Sequence, residues 1–195
     1  MLLLAPLGAA VSCSSAPQPT PELSPTAAAA LLDQRITLPT TMGLHLDHPK
    51  PGNRVEHQVL YTVQQAVRAQ LHAEYGPGTS DPLLSAYWSG DALTVVRGDV
   101  ASWSSKGEQP VGVLVVSNMT YTPPDAAGTA AVSYCANWRN VLRGNATTHV
   151  VGSAVQKAGT PGTYTTLTLV RAANGRWKVS GMTEAAHSSQ CAASK

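Results

Sequence analysis

The hydrophobic period changes once along this chain, near Gly107. Before it, apolar residues recur every three or four positions; after it come runs rich in Val, Thr and Tyr, the composition of strands. One element type cannot serve both patterns, so the sequence predicts helices first and a sheet second. The clearest helix is "NRVEHQVLYTVQQAVRAQLHAEY", residues 53–75. Val55, Val59, Val63, Val67 and Leu71 fall at i+4 spacing, and Leu60, Ala66 and Tyr75 widen the stripe. Asn53 with Glu56 three residues later resembles a capping box, and Gly76-Pro77 stops the helix. A second helix fits "DPLLSAYWSG", with Asp81 as cap and Pro82 at the first helical position; a third fits "DALTVVRGDVASWSSKG".

Beyond Gly107, "VGVLVVSNMTYT" is followed by a Pro-Pro-Asp turn, then by "TAAVSYCANWR" and "ATTHVVGSAVQ". The last segment, "TYTTLTLVRAANGRWKVSGMTEA", reads as two β-rich runs joined around Asn174-Gly175, a hairpin signal. The expected fold class is α+β: N-terminal helices packed on one face of an antiparallel sheet of about four strands. At 43% apolar residues there is material for one core. A net charge of +2 gives no ground for a nucleic-acid partner. That total conceals an asymmetry. Residues 109–195 hold seven bases against two acids, Asp125 and Glu184, which fits either a solvated sheet face or docking on an anionic surface.

The first residues, "MLLLAPLGAAVSC", join an apolar run to small residues, as export signals do, although no basic residue precedes the run. Ala10, Val11 and Ser12 before Cys13 resemble a bacterial lipobox. On that reading residues 1–12 are a signal peptide and Cys13 is lipidated, anchoring the chain to the membrane. "SSAPQPTPELSPT" cannot hold a hydrogen-bonded ladder and suits an extended spacer, so 13–52 is expected to be tether and linker, with the folded domain at 53–195. The alternative is a plain secreted protein with an incidental Cys13. Setting Cys13 aside leaves Cys135 and Cys191, an even pair that an oxidising compartment would join; two free buried thiols are the alternative.

Helices, then a meander ending in the "NGRWKVSGM" hairpin strand, resemble the nuclear transport factor 2-like (cystatin-like) cone. Together with Cys13, the Ser/Pro tether, Cys135 and Cys191, the arrangement is similar to small secreted lipoproteins of high-GC Gram-positive bacteria. The resemblance implies a curved sheet wrapped against the helices around a conical pocket, on the extracytoplasmic face of the membrane. It implies no particular activity, since this scaffold serves enzymes and non-enzymes alike. From position in such a cone, Tyr87, Trp88, Trp103 and Tyr134 are the candidate pocket-lining residues.

Few residues suggest chemistry. Asp125 falls in a turn and Glu184 near the end of a strand; Asp91 and Asp99 read as cap and surface residues of the third helix, and His149 as structural or exposed. "GLHLDH", residues 43–48, brings His45, Asp47 and His48 close together, but has Gly43 where a dinuclear zinc motif needs its first His, so no metal site is expected. No phosphate loop, nucleophile elbow or cofactor motif is visible. The sequence therefore favours a non-catalytic surface domain that binds a small ligand, an anionic envelope component or a protein partner. A small isomerase- or dehydratase-like enzyme using the pocket is the alternative.

Overall fold

A computed structural model describes residues 36–47 and 49–192; Cys13, the tether and His48 lie outside these. Asn53 begins the first helix, α1 (Arg54–Tyr75), as its sequence suggests. Its Oδ1 accepts the Glu56 N–H at 2.9 Å, and Glu56 Oε2 accepts the Gly52 N–H at 2.9 Å. Asp81 starts α2 (Pro82–Tyr87), accepting the Leu83 N–H at 2.9 Å on one oxygen. Its other oxygen lies 2.7 Å from His72 Nδ1, which ties α2 to α1. The third helix, α3, runs Gly90–Ser105.

The sheet has seven strands rather than about four: β1 (Met42–Leu46), β2 (Glu108–Thr122), β3 (Ala130–Asn137), β4 (Val141–Asn145), β5 (Val151–Ala154), β6 (Thr163–Arg171) and β7 (Trp177–Ala185). The excess has a physical cause. β3 and β4 lie in succession along one edge of β2, pairing with Thr122–Val115 and then Gly112–Glu108. The Trp138–Asn140 link between them holds one residue more than β2 opposite, so one long strand is kinked into two. The run read as a single strand at 146–156 is likewise interrupted. Asn145 Oδ1 accepts the N–H groups of Thr147 and Thr148, and His149 sits at φ 58°, so residues 146–150 form a tight turn before β5.

β1 pairs in parallel with Gly112–Val116 on the other edge of β2. It comes from the stretch assigned to the linker, which also places Ile36 and Met42 in the core. Pro39 and Pro49 bracket this segment without entering it, and the Pro39 carbonyl accepts the Met42 N–H at 2.9 Å in the turn leading in. The remaining strand pairs are antiparallel, and β6 and β7 form the expected hairpin, with Gly175 at φ 79° in its turn.

Interruptions also bend the sheet. Register shifts fall at Ser117/Thr120 in β2 and Thr168/Leu169 in β6, where bulges increase twist. At the β3–β4 kink, the buried Gln156 side chain accepts the Trp138 N–H at 2.9 Å and donates to the Thr160 and Pro161 carbonyls. Both α1 and α3 pack against the sheet, and α1 also contacts α2 and α3. Packed against sheet and helices, α1 buries more than one stripe, including Val59, Val63, Ala66 and Leu71.

Cys135 and Cys191 form a disulfide with 5.4 Å between their α-carbons, holding the C-terminal Ser189–Cys191 turn to β3. Side chains alternate along β3, so Cys135 faces away from the helices while Tyr134 and Ala136 face towards them.

Candidate functional site

The kinked sheet and the helices enclose a funnel. Its narrow end is a cavity of about 20 Å³, room for roughly one water. Leu71 and Gln70 of α1, Tyr134 of β3, Thr165 of β6, and Met182 and Glu184 of β7 are among its walls. Its wide end is an open recess of about 290 Å³, bordered by Asp99, Trp103 and Lys106 at the end of α3, by Arg143 of β4 and again by Glu184. Gln70, Trp138 and Glu184 line both, so they form the neck.

The neck is rich in carboxyl groups. Glu184 Oε1 accepts the Thr165 hydroxyl at 3.3 Å; burial, then the nearby Asp99 charge, raises its proton affinity above the usual carboxylate range. Burial also raises Asp99. Glu74 lies one helical turn beyond Gln70 on the same side of α1, 3% exposed, with Oε1 accepting from Gln70 Nε2 at 2.9 Å. Burial pushes its pKa up to about 8, with smaller contributions from Asp99 and Glu184. Burial and the Glu184 charge likewise raise the Tyr134 phenol, which therefore stays protonated across the physiological range.

The expected pocket residues divide. Tyr134 lines the cavity and Trp103 the recess. Trp88 instead lies in the core, 1% exposed, with its indole N–H donating to the Ala66 carbonyl at 3.0 Å. Tyr87 is likewise in the core, with the Arg176 guanidinium over its ring. The short α2 turns both aromatics towards α1 and the β6–β7 hairpin rather than into the funnel. Asp99, read as a surface residue, borders the recess. Its neighbour one turn before, Val96, and the following Val100 are fully buried, which draws that side of α3 inward. Gln70, Lys106, Trp138 and Arg143 carried no functional signal in the sequence, because the β3–β4 kink is what brings them together.

His45 lies on β1 and His149 in the exposed 146–150 turn, both outside the funnel lining. Asp125 is spent on its own turn, accepting the Ala127 and Thr129 N–H groups at 2.9 Å. Among the described residues no group of three or more His, Cys, Asp or Glu side chains is placed to hold a metal ion. Of the C-terminal bases, Arg139, Lys157 and Arg171 are exposed. Arg143 pairs with Glu108 at 2.6 Å and lies over Trp103, Arg171 over Trp177, Arg176 over Tyr87, and Lys178 Nζ donates to the Ser85 carbonyl at 2.7 Å.

No family model and no curated protein matches this chain. Among solved structures, the intermembrane-space region of the chloroplast protein ARC6 superposes with a TM-score of 0.48 at 14% identity, over 71% of this chain and 99% of that one. Aln2 from Streptomyces sp. gives 0.46 at 17% identity, over 72% and 94%. A ketosteroid isomerase-like protein from Erwinia carotovora atroseptica gives 0.39 at 13% identity, over 66% and 92%. At such scores and identities these likenesses bear on no activity, and the functional reading rests on this chain's own residues.

Proposed function

We propose that the chain is a lipid-anchored extracytoplasmic domain of the nuclear transport factor 2-like cone type, and that its funnel binds a small ligand without transforming it. The observation behind the binding role is the recess of about 290 Å³ that narrows, past Trp138 and Glu184, to a cavity holding about one water. A ligand's body rests in the recess, and only a small polar group reaches the neck. Support for the compartment comes from the Cys135–Cys191 disulfide, a bond that persists mainly in oxidising surroundings. Support for the cone comes from three helices held against a kinked, bulged sheet.

Membrane fractionation with intact-mass measurement, on wild type and Cys13→Ala, tests the anchor. Acyl mass on Cys13 and loss of membrane association in the variant are expected; an unacylated, freely released wild type would refute it.

One observation favours the enzyme reading. Glu184, with its raised proton affinity, stands beside a buried phenol, the pairing a proton-transfer catalyst needs. Solvent-deuterium exchange into small enolisable ketones separates the two readings. Binding alone predicts no acceleration by the protein. Acceleration that Glu184→Gln lowers by roughly 10²-fold or more would establish catalysis instead.

A further inference from the structure

We propose that the recess takes an organic ammonium ion, its charge between Asp99 and Glu184 and its apolar body against Trp138. This rests on the reading of the recess as a ligand site and adds the ligand's chemical class.

The charges around the recess do not balance internally. Of its four charged side chains, Arg143 is already matched by Glu108 at 2.6 Å and seated over Trp103, 5.0 Å from the ring centroid. Asp99 and Glu184 have no cationic partner among the described residues, where the ion pairs are His72–Asp81 and Arg143–Glu108. Lys106 remains, exposed at the C-terminal end of α3, where a cation complements the helix dipole. Against this single cation stand two recess carboxylates and, behind Gln70, the carboxyl of Glu74.

Glu74 is a further buried carboxyl behind the neck. It is 3% exposed, and its Oε2 has no hydrogen-bond partner although Oε1 is held by Gln70. A buried polar atom left in that state is costly; it lies behind Gln70 rather than in the lining of the neck. A positive charge at the neck relieves the mutual repulsion of Asp99 and Glu184, whereas an anion adds to it and a neutral molecule leaves it unchanged. Because no metal-ligating group of three is placed here among the described residues, the cation suited to the site is one met by a flat apolar wall. Trp138 offers that wall, and the adjoining Trp103 already seats the guanidinium of Arg143.

Calorimetric titration of the full chain with three probes of one shape tests the proposal: benzylammonium, benzyl alcohol and benzoate. Benzylammonium should bind about tenfold more tightly than benzyl alcohol, with benzoate the weakest of the three. Its affinity should rise with pH as Asp99 and Glu184, both raised by burial, lose their protons; Glu74, Glu108, Lys106, Arg143 and Tyr134 are the other ionisable groups around the neck. Asp99→Asn and Glu184→Gln should each weaken benzylammonium severalfold and leave benzyl alcohol unchanged. Equal binding of amine and alcohol, or a preference for benzoate, would overturn the ammonium assignment while leaving a ligand-binding recess. Absence of binding by all three probes would overturn both.

Discussion

Placing Glu74 inside the molecule takes its carboxyl out of water and leaves Oε2 without a hydrogen bond, so the folded protein holds the neutral acid up to a pKa of about 8. In the unfolded chain the same group ionises near 4.5, the ordinary value for a solvated glutamate. The folded state therefore binds the extra proton between these values, and the stability associated with Glu74 is fully present below pH 4.5 and falls as pH rises to about 8. Glu74→Gln keeps the shape of the neutral acid without the titration. Denaturant unfolding should show wild type losing stability relative to this variant across that window, by on the order of a few kcal/mol. Parallel pH profiles would show that Glu74 is ionised in the fold. Nothing local in the sequence marks this residue. A Glu near the end of an amphipathic helix reads as solvated, and its burial comes from the α3 and β7 sides, whose contacts are distant in sequence. Trp88 and Tyr87 misled for the converse reason: an aromatic pair suits a pocket or a core equally well, and the orientation of α2 decides.

At the scale of elements, Gly112 is where the sheet is shaped. It sits at φ 121°, pairs with Met42 of β1 and with Val141 of β4, and a β-carbon there would lie 2.0 Å from the Asn140 carbonyl oxygen. Gly112→Ala must strain the backbone and push the β3–β4 kink away, so a loss of about 3 kcal/mol or more is expected in equilibrium unfolding. A loss below about 1 kcal/mol would mean the kink is not pinned at this point. Asn53→Ala, by contrast, removes one helix cap and should lower stability by about 1 kcal/mol.

The contrast between these two positions explains what could be read from the chain. α1, α2 and the β6–β7 hairpin were legible because Asn53, Asp81, Pro82 and Gly175 act on residues within a few positions of themselves. Parallel β1 was not, because a register between segments some 70 residues apart leaves no local pattern; nor was the β3–β4 kink, which depends on how the Trp138–Asn140 link falls against β2. The funnel inherits that limit. Tyr134 and Trp103 could be anticipated from a cone, whereas Asp99, Trp138 and Arg143 meet only after the kink has formed.

At the scale of the whole molecule, the disulfide and the funnel lie on opposite faces of the sheet. Joining Cys135 to Cys191 closes a loop across 56 positions, for which chain entropy gives roughly 4 kcal/mol. Replacing both cysteines by serine should thus lower the unfolding free energy by about 2–4 kcal/mol while leaving the funnel intact, since Tyr134 rather than Cys135 faces its cavity. Ligand affinity that fell along with stability would show the two faces to be coupled. On the proposed reading, this face of the sheet, between Trp103 and Trp138, meets the ligand. Nuclear magnetic resonance mapping of backbone amide and indole N–H signals during titration with benzylammonium tests this most simply. Shifts should concentrate at Gln70, Asp99, Trp138 and Glu184, with the core indole of Trp88 unmoved; shifts confined to the exposed 146–154 arm, or no shifts at all, would refute it.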